Sequence, residues 1–153
     1  MAEAVRRRIL TGTTMLRVIT GLLWFRACWA FGLFLFFMAY RAGMPGFGLV
    51  GESLAAFVHA RPNTFFALWG LYVAGYLLAA ILFRQRPWMA LGVYLLAALI
   101  DFALWLSMSL SVEYQYLIEG WARALDGAFN AIDLILVGAL LAFALRGVKP
   151  GPD

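Results

Sequence analysis

The sequence predicts an all-α integral membrane protein, a four-helix bundle with short loops that forms a single transmembrane domain over residues 1–153. Composition is the first indication, because 65% of the residues are hydrophobic, only 13% are charged and the mean hydropathy is +0.87. Soluble domains are about half apolar and about one quarter charged. The second indication is a set of four apolar stretches, each close to the ~20 residues that a membrane-spanning helix needs.

The predicted spans cover about residues 18–40, 64–83, 88–110 and 125–145. The second and third spans are joined by a short polar segment that ends in Pro87, which predicts a tight antiparallel hairpin. Proline suits the first turn of a helix, because its missing N–H removes no helical hydrogen bond there.

Two segments outside the spans have the pattern of helices that lie on a membrane surface. The basic N-terminal segment leads into an apolar stretch longer than the roughly 7–15 residues of a signal-peptide core, so we expect it to be an uncleaved interfacial helix. In the loop of residues 41–62, the side chains of Leu54, Phe57 and Val58 form an apolar face. This face predicts a short helix on the outer leaflet.

The basic residues predict the orientation. Eight of the twelve lie on the side of the termini and the hairpin, three lie on the other side and Arg26 falls inside the first span. The eight are Arg6, Arg7, Arg8, Arg17, Arg84, Arg86, Arg146 and Lys149, and the three are Arg41, Arg61 and Arg123. The positive-inside rule then places both termini in the cytoplasm. Because arginine-rich, lysine-poor composition is typical of GC-rich bacterial genomes, the predicted location is a bacterial inner membrane.

Several function classes have no support in the sequence. Cys28 is the only cysteine and His59 the only histidine, which excludes an internal disulfide, a CxxC motif and a bis-histidine haem. We find no nucleophile–base pattern and no phosphate-binding glycine loop. Basic residues are spread beside the spans, which is typical of topology signals and not of nucleic-acid binding. We therefore expect no catalysis, cofactor, metal ion or nucleic acid.

Asp101, Asn130 and Asp133 are the candidate ion or proton site. Asp101 lies about 20 Å deep at 1.5 Å per residue, and Asp133 has about the same depth counted along the fourth span. Asn130 shares a helix face with Asp133. The competing interpretation, which the sequence favours, is that Asp101 is neutral or hydrogen-bonded at a helix contact, while Asp133 reaches water on the outer side.

Arg26 and the aromatic residues of the first span are candidates for contact with lipid or with a partner. Arg26 is about 12 Å from the cytoplasmic edge, and its side chain leans that way, so we expect it to snorkel to the inner headgroups. Pairing with Asp101, or with a carboxylate or lipid phosphate of a partner, is the alternative. The aromatic candidates are Trp24, Trp29, Phe34 and Phe37. Lipid is their expected neighbour, and a bound pigment or another subunit are the alternatives.

Small residues and a short repeat complete the pattern. Gly75/Ala79 and Gly138/Ala142 permit close helix packing. The sequence Tyr-Leu-Leu-Ala-Ala occurs at 76–80 and again at 94–98, which we attribute to composition rather than duplication.

The function expected from these observations is non-catalytic. The chain is predicted to act by contact, as a small accessory or assembly subunit of a larger membrane complex or by self-association. The alternative is a small proton- or cation-coupled transporter or channel that uses Asp101 and Asp133.

Overall fold

A computed structural model describes residues 2–44, 58–112, 114 and 121–145, with side chains for 13–44, 58–112, 114, 124–125 and 127–145. The described residues form four long helices: α1 (Ala2–Arg41), α2 (Asn63–Leu82), α3 (Pro87–Ser109) and α4 (Trp121–Leu145). Each contains a stretch long and apolar enough to cross a membrane. The predicted all-α bundle is therefore confirmed, and its apolar helices indicate a membrane-spanning protein that contacts the lipid bilayer.

The helix ends agree closely with the predicted spans, because hydropathy and the local chain breakers mark the same positions. Pro62 precedes α2 in an extended conformation, and Pro87 is the first residue of α3. Residues 83–86 form the short connection between these two helices, so the predicted hairpin is present.

The first helix is longer than the predicted first span. It runs without a break over 40 residues, about 60 Å at 1.5 Å per residue, whereas a bilayer core is about 30 Å thick. Its candidate spanning part is Thr13–Arg41. The N-terminal segment expected to lie on the membrane surface is thus continuous with the span. In the loop that was predicted to carry a short surface helix, residues 58–60 are helical, whereas Leu54 and Phe57 lie outside the described residues.

The four helices alternate in direction around a ring. Arg41 at the end of α1 donates a hydrogen bond to Asn63 at the start of α2. Phe83, just after α2, packs against Phe143 near the end of α4 with ring centroids 5.0 Å apart. Each helix packs on the next, and α4 returns to α1. We call the two ends of the bundle the Arg41 end and the hairpin end.

The core of the bundle uses one narrow face of each helix. On α1 the buried positions recur at helical spacing, namely Ile19, Leu23, Arg26, Ala27 and Ala30. Many large apolar side chains on the other faces are exposed, as expected where lipid is the solvent.

Close packing between α2 and α3 depends on a glycine. A Cβ added at Gly75 would lie 2.8 Å from the Cβ of Ala97, closer than real Cβ atoms approach, whereas one added at Gly138 would meet nothing within 4 Å. Of these two predicted small-residue positions, Gly75 is therefore the one that a helix contact requires. Its helix neighbour Tyr76 and the α3 residue Tyr94 point into the same buried region, with ring centroids 5.0 Å apart.

Candidate functional site

The candidate site is a buried cluster of charged and phenolic side chains at the centre of the bundle. All four helices contribute to it: Arg26 from α1, Tyr76 from α2, Tyr94 and Asp101 from α3, and Asp133 from α4. We call this set the Arg26 cluster.

Arg26 is inside the bundle because it occupies the same helix face as the apolar core positions of α1. The residue is only 4% exposed. Its guanidinium carbon lies 4.5 Å from the centroid of the Tyr76 ring, so the cation also packs against an aromatic face. The cluster is therefore organised around the guanidinium.

Asp133 receives Arg26 in a two-point contact. Arg26 Nε donates to Oδ1 of Asp133 and Arg26 Nη2 donates to Oδ2, both at 2.9 Å. This bidentate geometry is the strongest that an arginine and a carboxylate make. Asp133 is 6% exposed.

Asp101 contacts one of the two guanidinium nitrogens that also bind Asp133. Arg26 Nη2 also donates to Oδ2 of Asp101, so one nitrogen serves both carboxylates. The Asp101 side chain is 18% exposed, compared with 8% for that of Asp133. Asp101 is therefore the more accessible of the two acids.

Two tyrosines complete the cluster. Tyr94 donates a hydrogen bond of 2.6 Å to Oδ1 of Asp133. The Tyr76 hydroxyl lies 3.1 Å from Oδ2 of Asp101 and 3.0 Å from Oδ2 of Asp133. Because a hydroxyl carries one proton, Tyr76 fully donates to one carboxylate at a time. It also accepts from Arg26 Nη2 at 3.3 Å.

The structure corrects two expectations for the charged residues. The snorkelling predicted for Arg26 is wrong, because the guanidinium pairs with Asp133 and Asp101 instead of reaching the headgroups. Its burial also leaves it no surface to offer a lipid phosphate or a partner. The expectation that Asp133 reaches outer water is wrong as well, since Asp133 is buried against Arg26 and Tyr94.

The third residue of the predicted ion site, Asn130, lies one turn from Asp133 toward the Arg41 end and is half-buried. Tyr76 and Tyr94 were not among the candidate site residues. The signal for them was the repeated Tyr-Leu-Leu-Ala-Ala, because its two copies place equivalent tyrosines on the two arms of the hairpin.

The aromatic residues of α1 divide into an outward set and a packed set. Trp24 and Trp29 are 41% and 37% exposed, and Trp29 stacks on Phe129 of α4 with centroids 5.1 Å apart. Phe34 and Phe37 instead pack against Trp69 of α2, with centroids 6.0 and 5.3 Å away. Cys28 is exposed on α1.

Among the residues that the structure describes, no group of three His, Cys, Asp or Glu side chains is placed to hold a metal ion. The guanidinium, carboxylates and hydroxyls of the Arg26 cluster can pair charges and exchange protons. No protein family model, curated protein or solved structure matches this chain.

Proposed function

We propose that this chain is a non-catalytic membrane protein that acts by contact, as a small accessory or assembly subunit of a larger membrane complex. The observation that carries the proposal is the outward aromatic face of α1. Trp24, Phe25, Trp29 and Phe31 are 41%, 53%, 37% and 43% exposed along less than three turns of helix. Large aromatic side chains supply much of the contact energy in protein interfaces.

The Arg26 cluster supports the same proposal. Its guanidinium, carboxylates and hydroxyls hydrogen-bond to one another, which holds all four helices in one arrangement. A rigid bundle of this kind presents the α1 face in a defined shape, and a defined shape is what a specific interface needs.

The exposed Cys28 provides a direct test, because it is the only cysteine and lies on α1 between Trp24 and Trp29. A maleimide-linked photocrosslinker on Cys28 should join the protein in native membranes to one discrete membrane protein. Substituting Trp24 and Trp29 by alanine should abolish that product.

The matched control moves the cysteine to another lipid-exposed position. Leu99 on α3 is 58% exposed, and α3 lies across the ring from α1. The variant Cys28→Ala/Leu99→Cys should give no such product. Equal crosslinking from both positions, or recovery of the protein only as a free monomer, would contradict the proposal.

A second candidate function is proton- or cation-coupled transport through Asp101 and Asp133. The observation that favours it is the partial exposure of Asp101 at the edge of an otherwise buried charged cluster. Reconstituted protein should then support an ion- or proton-dependent flux that Asp101→Asn abolishes. The absence of flux in the wild type, or an unchanged flux in the variant, would exclude this function.

We also propose a bacterial inner membrane as the location, with both termini in the cytoplasm. The support is the distribution of arginine and lysine between the two sides. A reporter domain that is active only in the cytoplasm should be active when it is fused to either terminus. Activity of a periplasmic reporter at either terminus would overturn the orientation.

A further inference from the structure

The charges of the Arg26 cluster do not balance. Arg26 supplies one positive charge, whereas Asp101 and Asp133 supply two negative charges if both are ionised. Tyr76 and Tyr94 are uncharged at neutral pH. The fully ionised cluster would thus carry one net negative charge in the interior of a membrane-spanning bundle.

An uncompensated carboxylate at this depth is unfavourable. Even the most lenient scales for membrane insertion penalise a central aspartate, and two carboxylates that share one site disfavour simultaneous ionisation. One proton bound to one of the two acids removes the excess charge and keeps the ion pair with Arg26.

The hydrogen bonds distinguish the two acids. Asp133 accepts from Arg26 Nε and Tyr94 at Oδ1 and from Arg26 Nη2 at Oδ2, so both of its oxygens already accept hydrogen bonds without the shared proton of Tyr76. A proton on either oxygen of Asp133 would have to compete with one of these donors. The hydrogen bonds that Arg26 and Tyr76 donate to Asp101 both go to Oδ2. Oδ1 of Asp101 accepts from neither of them, so it is the better place for a proton.

We propose that the Arg26 cluster is a proton-binding site that holds one exchangeable proton, carried by Asp101. The groups that face Asp101 are Arg26 from α1, Tyr72 and Tyr76 from α2, and Asp133 from α4, while Tyr94 of its own helix reaches it through Asp133. Asp101 is also the more exposed of the two acids, at 18% of its side chain compared with 8% for Asp133, so a proton on Asp101 should exchange more readily.

This inference goes beyond both proposed functions. A subunit that acts only by contact can hold the proton permanently, and a transporter would release it during each cycle. If no partner is found, the proposal of a proton site is unaffected. If no bound proton is found, the proposal of a contact function is unaffected.

Infrared spectroscopy of the full chain in lipid at neutral pH tests the proposal. A protonated carboxyl group has a C=O stretch well separated from that of a carboxylate, and isotope-labelled aspartate assigns the band to aspartate. The wild type should show one protonated aspartate per molecule. Asp101→Asn should remove the band, because the charges of Arg26 and Asp133 then cancel each other. Asp126 is an aspartate of α4 that does not belong to the Arg26 cluster, so the control Asp126→Asn should retain the band.

Changing the cation makes the test sharper. Arg26→Gln removes the positive charge, so both acids should hold a proton and the band should double. A purely structural pairing of Arg26 with two ionised carboxylates predicts no band in the wild type. The wild-type and Asp101→Asn spectra decide the question even if Arg26→Gln does not fold.

A matched pair of variants locates the proton. With only aspartate labelled, the protonated band of Asp101→Glu should appear at the frequency of an unlabelled carboxyl group, because the proton is then on glutamate. Asp133→Glu should keep the labelled position. Three outcomes would each overturn the proposal. They are the reverse result for these two variants, the absence of a protonated band in the wild type, and the loss of the wild-type band when sodium replaces choline in the buffer.

Discussion

Arg26 of the first helix and Asp133 of the last are joined by two hydrogen bonds of 2.9 Å, although 107 positions separate them in the sequence. These helices otherwise contact each other least among the neighbours in the ring. The two-point pair therefore closes the bundle where backbone packing contributes least. Three predictions about the Arg26 cluster and one about the α2–α3 contact can be tested by measuring stability in detergent or lipid.

Asp133 should matter more for stability than Asp101. Asp133→Ala removes the acceptor of Arg26 Nε, Arg26 Nη2 and Tyr94, whereas Asp101→Ala removes only one of the two carboxylates that Arg26 Nη2 contacts. The single proton of Tyr76 can be donated to whichever acid remains. Breaking a buried ion pair from one side costs about 3–5 kcal/mol. Thermal or denaturant unfolding of the two variants should show the larger loss for Asp133→Ala, and equal losses would contradict the bonding pattern.

Arg26→Lys should not behave as a conservative change. Arg26 reaches both oxygens of Asp133 with two separate nitrogens while also meeting Asp101. A lysine ammonium is a single point with no planar fork, so it cannot reproduce that geometry. We expect a clear fall in the unfolding midpoint. Arg86→Lys is the control, since the Arg86 side chain is exposed at the hairpin, where it donates to Met89 Sδ at 3.6 Å.

Removing the Tyr94 hydroxyl should destabilise the bundle without changing its shape. The hydroxyl is wholly buried and donates at 2.6 Å to a carboxylate. Hydrogen bonds to charged groups contribute about 1.5–3 kcal/mol. Tyr94→Phe should show a loss of this size in unfolding measurements. Tyr40 is half-buried and lies near the end of α1. Tyr40→Phe should therefore change stability much less than Tyr94→Phe does.

Gly75→Ala should disturb the α2–α3 contact. The added Cβ would lie 2.8 Å from Ala97 Cβ, and neither atom can rotate away. Overpacking a close contact costs about 1–3 kcal/mol, more than the roughly 1 kcal/mol that alanine gains over glycine in a helix. The unfolding midpoint should fall. In Gly92→Ala the new methyl meets nothing within 4 Å, so a comparable fall there would refute the packing explanation.

The sequence alone determined the four helices and, for α2, α3 and α4, their ends to within about four residues. Apolar runs of membrane-spanning length allow little choice of structure, because every backbone polar group in lipid must be satisfied within the segment. Pro87 likewise marked the start of α3, since proline constrains only its own local backbone. These are local properties of the chain, and they need no knowledge of its neighbours.

Only the tertiary structure decided which groups the Arg26 side chain contacts. Seen on an isolated helix, its side chain leans toward the nearer headgroups, so snorkelling was the natural expectation. In the bundle, α1 turns the face that carries Leu23, Arg26 and Ala30 inward, toward acids on α3 and α4. The direction of a buried charge depends on which groups from distant segments lie at its level, and only the packed helices bring those groups together.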